Sequence, residues 1–277
     1  MSNELKTFRP ITPSLRATVL LKKVSSKNNP FKPLLVGQKS TGGRNNTGRI
    51  TTRFRGGGNK TKYRIISFKR DIIDITATVI NIEYDPNRTA NIALIKYEND
   101  VNQYIIAPDK LKIGDKIMTS TNINNVSLDP GNALPLSQIP IGTFVHCVEL
   151  KVGGGAKIAR SAGSFVQLSG KENGNAILTL PSSEKRIVHE SCMATIGIVS
   201  NLQHQNVKIG KAGRNRWKGF RGHVRGEVMN PVDHPHGGRT RGGRIPVSPW
   251  GQCAKGLKTR KNKLTNTFII SRRKKKK

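Results

Sequence analysis

Asp233, His234 and His236 stand close together in VMNPVDHPHGG, and two imidazoles beside a carboxylate can hold iron or zinc or exchange protons at an acid/base centre. Pro235 favours an extended segment there, and no further ligand-rich motif completes a site, so a structural role is the preferred reading. Asp233 is one of only two acids after residue 199; it could orient His234 or accept bonds from nucleobase amines. Three glycine-rich stretches, Gly56 to Lys60, Gly153 to Lys157 and Gly237 to Arg244, invite a phosphate-loop reading. None matches G-x-x-x-x-G-K-[ST], and GGGAK runs into Ile158, so close packing of thin backbone against nucleic acid explains the glycines better. Cys192, near His189 in HESCMAT, follows no nucleophile signature and reads as the end of a barrel strand. Cys147, Cys192 and Cys253 lie far apart without a C-x-x-C pair, so reduced thiols are expected and neither a disulfide framework nor a zinc ribbon. No catalytic residue, metal or cofactor is expected.

Binding chemistry is better supported. In KAGRNRWKGFRGHVRG the cations Lys211, Arg214, Arg216, Lys218 and Arg221 alternate with Trp217, Phe220 and His223, a pattern that suits RNA because cations meet phosphates while aromatic faces stack on unpaired bases. The competing reading is a helix with Trp217 in a core and its cations in solvent. GGRNNTGRITTRFRGGGNKTKYR spaces Arg44, Arg49, Arg53, Arg55, Lys60, Lys62 and Arg64 among glycines, where guanidinium groups can fork onto phosphates. A disordered basic tail is the alternative, though it gives no reason for the interleaved Phe54 and Tyr63. Arg239, Arg241 and Arg244, then Lys258, Arg260 and Lys261, continue the basic pattern as further candidate RNA contacts.

These groups lie at the two ends of the chain, and the charge follows them. Residues 1–70 carry 17 basic and 1 acidic side chain, residues 71–199 carry 11 and 13, and residues 200–277 carry 21 and 2. A net charge of +33 opposes compaction unless a polyanion neutralises it, and the near-neutral middle marks a folded body between two polyanion-binding arms. Membrane binding would need an amphipathic helix or a lipid anchor, and neither is found. No apolar stretch approaches the ~20 residues of a membrane span. The N-terminal MSNELKTFRPITPSLR has an acid, two prolines and no apolar core, and does not read as a secretory signal.

The body reads as β. IDITATVINIEYD alternates over Ile73 to Tyr84, DPNRT turns, and ANIALIKY returns; VNQYIIAP and LKIGDKIMTS add strands around Gly114. The expected fold is mainly β: a basic N-terminal extension (1–62), an OB-like small barrel (63–119), a linker (120–141) rich in Asn and Pro, an SH3-like small barrel (142–200) and a basic C-terminal extension (201–277). TFVHCVEL, SFVQLSG, NAILTLPSSEKRIVH and ATIGIVS supply the second set of strands.

GRNNTGRIT, KYRIISFKRDIIDITATVINIEYDPNRTANIALIKYE, GNALPLSQIPIGTFVHCVELKVGGGAKIARSAGSFVQL, GKAGRNRW and VMNPVDHPHGG, in this order and over almost the whole chain, resemble the universal large-subunit ribosomal protein L-two family in its bacterial or organellar form. The resemblance implies a non-enzymatic constituent of the large subunit: two small barrels with extensions threaded through ribosomal RNA, supporting subunit assembly and association and reaching towards the peptidyl transferase region. It also implies neighbouring ribosomal proteins as partners and a contact with the small subunit. At the matching positions Asn230, Pro231, Asp233, His234 and His236 would buttress RNA. Two departures stand out. Gly237 and Gly238 lead directly into RTRGGR without the family's further glycine-acid-glycine stretch, and Asn59 replaces a common histidine. With the Asn-, Ile- and Lys-rich composition they favour a mitochondrial ribosome over a bacterial or plastid one. Two functions of other classes compete: a metal-dependent hydrolase using Asp233, His234 and His236, and an architectural DNA binder.

Overall fold

A computed structural model describes residues 5–22, 29–238 and 245–273. The fold is mainly β, and the chain divides into two compact units: residues 1–39, 60–211 and 267–277 form one, and residues 40–59 and 212–266 the other.

In the first unit, β1 (Leu5–Thr7) pairs with β2 (Val19–Leu21), and β3 (Leu35–Gly37) with β4 (Lys62–Arg64). Between β1 and β2 lies α1 (Pro13–Arg16), whose first turn is capped by the Thr12 hydroxyl and begins at a proline with no N–H to leave unpaired. The stretch expected as one extended arm thus contains local structure. Its strands are three residues long, too short to show a period in the sequence.

β5 (Ala77–Glu83), β6 (Ile92–Tyr97), β7 (Asn102–Ile106) and β8 (Lys116–Ile117) form a curled antiparallel sheet in the order β7-β6-β5-β8. The turn between β5 and β6 is set by Asp85, whose Oδ1 accepts the Asn87 N–H at 2.9 Å and whose Oδ2 accepts from Arg88 Nε at 2.5 Å. β5 alternates buried and less buried positions, whereas nearly all of β6 is buried. The cause is that β6 lies between two cores. Ala93, Ile95 and Tyr97 pack with Ala77, Val79 and Ile105, while Ile92 and Leu94 pack with Ile66, Tyr104, Ile106 and Val199. A strand covered on both faces reads as a continuous apolar run, which is the texture of NIALI.

The second sheet has seven antiparallel strands. In chain order its strands are β9 (Ala133–Pro135), β10 (Phe144–His146), β13 (Val166–Glu172), β14 (Asn175–Thr179), β15 (Lys185–His189), β16 (Met193–Ile196) and β17 (Ile269–Ser271), while β11 (Val148–Glu149) and β12 (Ala156–Ile158) form a separate pair. The sheet order is β17-β15-β14-β13-β10-β16-β9. Cys147, at φ +50°, reverses the pleat and splits TFVHCVEL into β10 and β11.

Part of the expected linker is core. Leu134, Leu136 and Ile139 are fully buried with Val145, Leu168 and Leu178, and β9 pairs with β16. The prolines misled the reading: Pro135 ends an edge strand, where a missing N–H breaks no ladder. The buried Arg70 guanidinium also holds this stretch, donating to Thr119 Oγ1 at 3.0 Å and the Gly131 carbonyl at 3.2 Å. Nor is residues 201–277 extension throughout, because β17 adds to β15 at the opposite edge. Among the described residues no helix is long and apolar enough to cross a membrane.

Candidate nucleic-acid interface

The second unit brings together two stretches far apart in sequence. α2 (Ala212–Trp217) ends at a turn, and the backbone that follows pairs with the glycine-rich arm. Gly56 N–H donates to the Gly219 carbonyl at 3.0 Å, Asn59 N–H to the Trp217 carbonyl at 2.9 Å, and Arg221 N–H to the Phe54 carbonyl at 3.0 Å. Gly58 makes this approach feasible: at φ +93°, a Cβ there would stand 2.7 Å from Gly219 N and 2.8 Å from Gly219 Cα. The glycine expected to admit RNA backbone instead admits the protein's own.

Arginines surround this pairing. Arg55 lies with its guanidinium carbon 4.1 Å from the Phe220 ring centre, and Arg53 lies 5.1 Å from Phe54 and 5.4 Å from Trp250. Phe54 also meets His223 at 4.3 Å. The interleaved aromatics therefore act partly as shelves for cations. Arg44 and Arg49 sit on a small loop closed by Thr51 N–H to the Gly43 carbonyl at 3.0 Å, with Asn45 Oδ1 accepting the Thr47 and Arg49 N–H groups at 3.1 and 3.0 Å. Arg44, Arg53, Arg55, Arg216 and Arg221 together line a cleft of about 440 Å³ with Ile50, Thr52 and Phe54, and among the described residues no carboxylate lines it. Trp217 is 54% exposed, which sets aside the reading of a core tryptophan. Lys218 is exposed on the turn after α2, and Arg214 is partly buried within it.

Among the described residues the ion pairs lie elsewhere: Asp85 takes Arg88 and, more distantly, Arg64, and Asp100 takes Lys96. Arg64, expected to face RNA, has a side chain only 11% exposed, with Nη1 4.0 Å from Asp85 Oδ1 and donating to the Lys62 carbonyl at 2.9 Å. Lys60, Lys62 and Lys211 are exposed in the first unit, as are Lys258 and Lys261 in the second. Arg260 is tied to its own turn through the Asn262 carbonyl and the Thr265 hydroxyl. Arg239, Arg241 and Arg244 lie outside the described residues.

The Asn230–His236 cluster forms a tight loop in the same unit. Asn230 O accepts the Asp233 and His234 N–H groups at 3.0 and 3.3 Å, and Gly237 N–H returns to the His234 carbonyl at 2.8 Å. His234 is buried, and a Cβ on Gly226 would fall 2.4 Å from its Nδ1. That Nδ1 accepts the His236 N–H at 3.0 Å, which assigns the proton of the neutral ring to Nε2. A neighbouring backbone amide, and not Asp233, meets Nδ1. His236 Nε2 lies 3.1 Å from the Ile245 carbonyl. Among the described residues no three His, Cys, Asp or Glu side chains converge as a metal site would require. Cys192 is fully buried, and burial pushes its thiol up to about 11, the reverse of an activated thiolate. The His189 Nδ1 near it accepts the Ser191 N–H at 3.2 Å.

Two family models match the chain. Residues 31–119 match the one described as Ribosomal Proteins L2, RNA binding N-terminal domain, and residues 129–251 match Ribosomal Proteins L2, C-terminal domain. The chain belongs to the ribosomal protein L2 family. Similar relatives carry the name Large ribosomal subunit protein uL2. That of Rickettsia canadensis is 59% identical over 274 residues, covering 98% of this chain and 99% of the relative. That of Azorhizobium caulinodans is 54% identical over 277 residues, covering 99% of each. The arginine cleft draws on both matched regions of the family, residues 42–55 from the first and 216–222 from the second.

Proposed function

We propose that the chain is a structural constituent of the large ribosomal subunit, binding large-subunit ribosomal RNA and catalysing no reaction of its own. The observation that carries it is the pairing of Phe54–Asn59 with Trp217–Arg221, around which five arginines gather with no carboxylate among the described residues of the cleft. A family model described as RNA binding and the names of the relatives support the same reading. The two barrels orient the chain, and the basic stretches neutralise phosphates that would otherwise hold RNA helices apart. Lys60, Lys62, Lys211, Arg214, Lys218, Lys258 and Lys261 extend the basic surface, and Arg239, Arg241 and Arg244 belong to the same proposal.

The Asn230–His236 loop, locked by its own backbone bonds, is assigned to RNA near the peptidyl transferase region, where the buried His234 holds shape and transfers no proton. Subunit assembly and association, neighbouring ribosomal proteins and a small-subunit contact complete the role. Composition and the direct run of Gly238 into RTRGGR support a mitochondrial ribosome, while the relatives named above are bacterial; organelle fractionation with an antibody to the chain separates the two.

The test is a salt titration of the full chain on a large-subunit ribosomal RNA transcript. Logarithmic affinity should fall with logarithmic salt at roughly −0.7 to −0.9 per phosphate engaged. A flat response removes the proposal, and equal competition by duplex DNA transfers it to an architectural DNA binder.

A further inference from the structure

The arginine cleft offers more than charge. Its volume of about 440 Å³ falls in the roughly 300–1,000 Å³ range of small-molecule sites and far exceeds what a phosphate fills. Its lining joins five guanidiniums to the apolar Ile50 and Phe54 and the hydroxyl of Thr52. The flanking contacts fix several of these groups: Arg53 is set over Phe54 and Trp250, Arg55 over Phe220, and Arg44 donates to the Gly42 carbonyl at 2.9 Å. A duplex backbone would need only the cations. An unpaired nucleotide presents both chemistries, a planar base for Phe54 or a guanidinium face and phosphates on either side for forked donors.

We propose that this cleft receives a single extruded nucleotide of the ribosomal RNA, its base among Ile50, Phe54 and the stacked arginines and its flanking phosphates on the outer guanidiniums. The proposal rests on the RNA-binding reading above and makes it specific: one RNA position is held by shape, where the other basic stretches hold by charge.

Gly222 provides a test that leaves every charge in place. It lines the cleft, lacks a positive φ, and a Cβ added there meets nothing within 4 Å, so Gly222→Leu fills space without straining backbone. Gly213, equally open but outside the cleft lining, gives the control Gly213→Leu. Full-length chains would be titrated onto a large-subunit ribosomal RNA transcript, with base-reactive chemical footprinting and thermal melts of each free protein. The expected result for Gly222→Leu is an unchanged melt and salt slope, an affinity lower by about 5- to 150-fold, the worth of one stacked base, and loss of protection at one unpaired base. Wild-type-like affinity and footprint, or an equal loss with Gly213→Leu, overturns the nucleotide site while leaving RNA binding intact. Failure of the wild-type chain to bind the transcript defeats the underlying reading instead. Uridine monophosphate alone separates the sources: weak, non-saturating binding is expected, and tight saturable binding overturns the assignment to an RNA strand.

Discussion

Replacing Gly58 by alanine tests whether the glycine-rich arm is built for protein or for RNA backbone. At φ +93° an alanine carries left-handed strain of roughly 1–2 kcal/mol. Its Cβ would also lie 2.7 and 2.8 Å from Gly219 backbone atoms, so the strands must part, and the bonds from Gly56 N–H and Asn59 N–H are lost at about 0.5–1.5 kcal/mol each. Gly57 is the internal reference, since at φ +66° it too has a positive φ and its added Cβ touches nothing within 4 Å. Part of the strain cancels in the comparison, leaving at least about 1–3 kcal/mol specific to Gly58. In the free chain, hydrogen exchange at the Gly56 and Asn59 amides should speed up about 5- to 150-fold more in Gly58→Ala than in Gly57→Ala. Equal acceleration would show that this close approach does not hold the arm, and the account of the second unit would fail.

Leu136→Ala should destabilise the chain by about 2–5 kcal/mol in denaturant melts, because Leu136 is fully buried; a loss under 1 kcal/mol would return this stretch to linker status. Trp217→Ala should weaken RNA binding more than Lys218→Ala, the exposed ring losing a stacked base while the lysine loses one screened contact; equal losses argue for charge alone. Burial holds His146 at about 4, below the usual imidazole value of 6.5, so the unfolded chain takes up its proton first. Stability should consequently fall as pH drops from about 6.5 towards 4, and His146→Gln should flatten that window; superimposable wild-type and variant curves would contradict it.

The β5–β6 hairpin was legible in sequence because Asp85 and Pro86 mark a turn between two β-branched runs, although the buried face of β5 was not, since Asn81 and Glu83 are buried and Ile80 is exposed. β9 was hidden by its own composition, since Asn132, Pro135 and Pro140 signal turns while Leu134, Leu136 and Ile139 enter a core made by strands much later in the chain. The clustering of basic and aromatic residues pointed to an interface without revealing which cations meet. Arg64 and Arg55 belong to the same basic stretch, yet one is largely buried beside Asp85 and the other lies on Phe220. Only long-range pairing separates such cases. Likewise the His234 tautomer depends on a backbone amide two residues on, a geometry that spacing alone leaves open.

The pairing of Phe54–Asn59 with Trp217–Arg221 also imposes an order on synthesis. When residues 54–59 leave the translating ribosome, the segment that completes their backbone bonding does not yet exist, and roughly 160 more residues must be added first. At about 5–20 residues per second that delay lasts roughly 8–30 s. Throughout it a strongly cationic, glycine-rich stretch is without its partner strand, its backbone donors and arginines open to whatever polyanion it meets before its far end arrives.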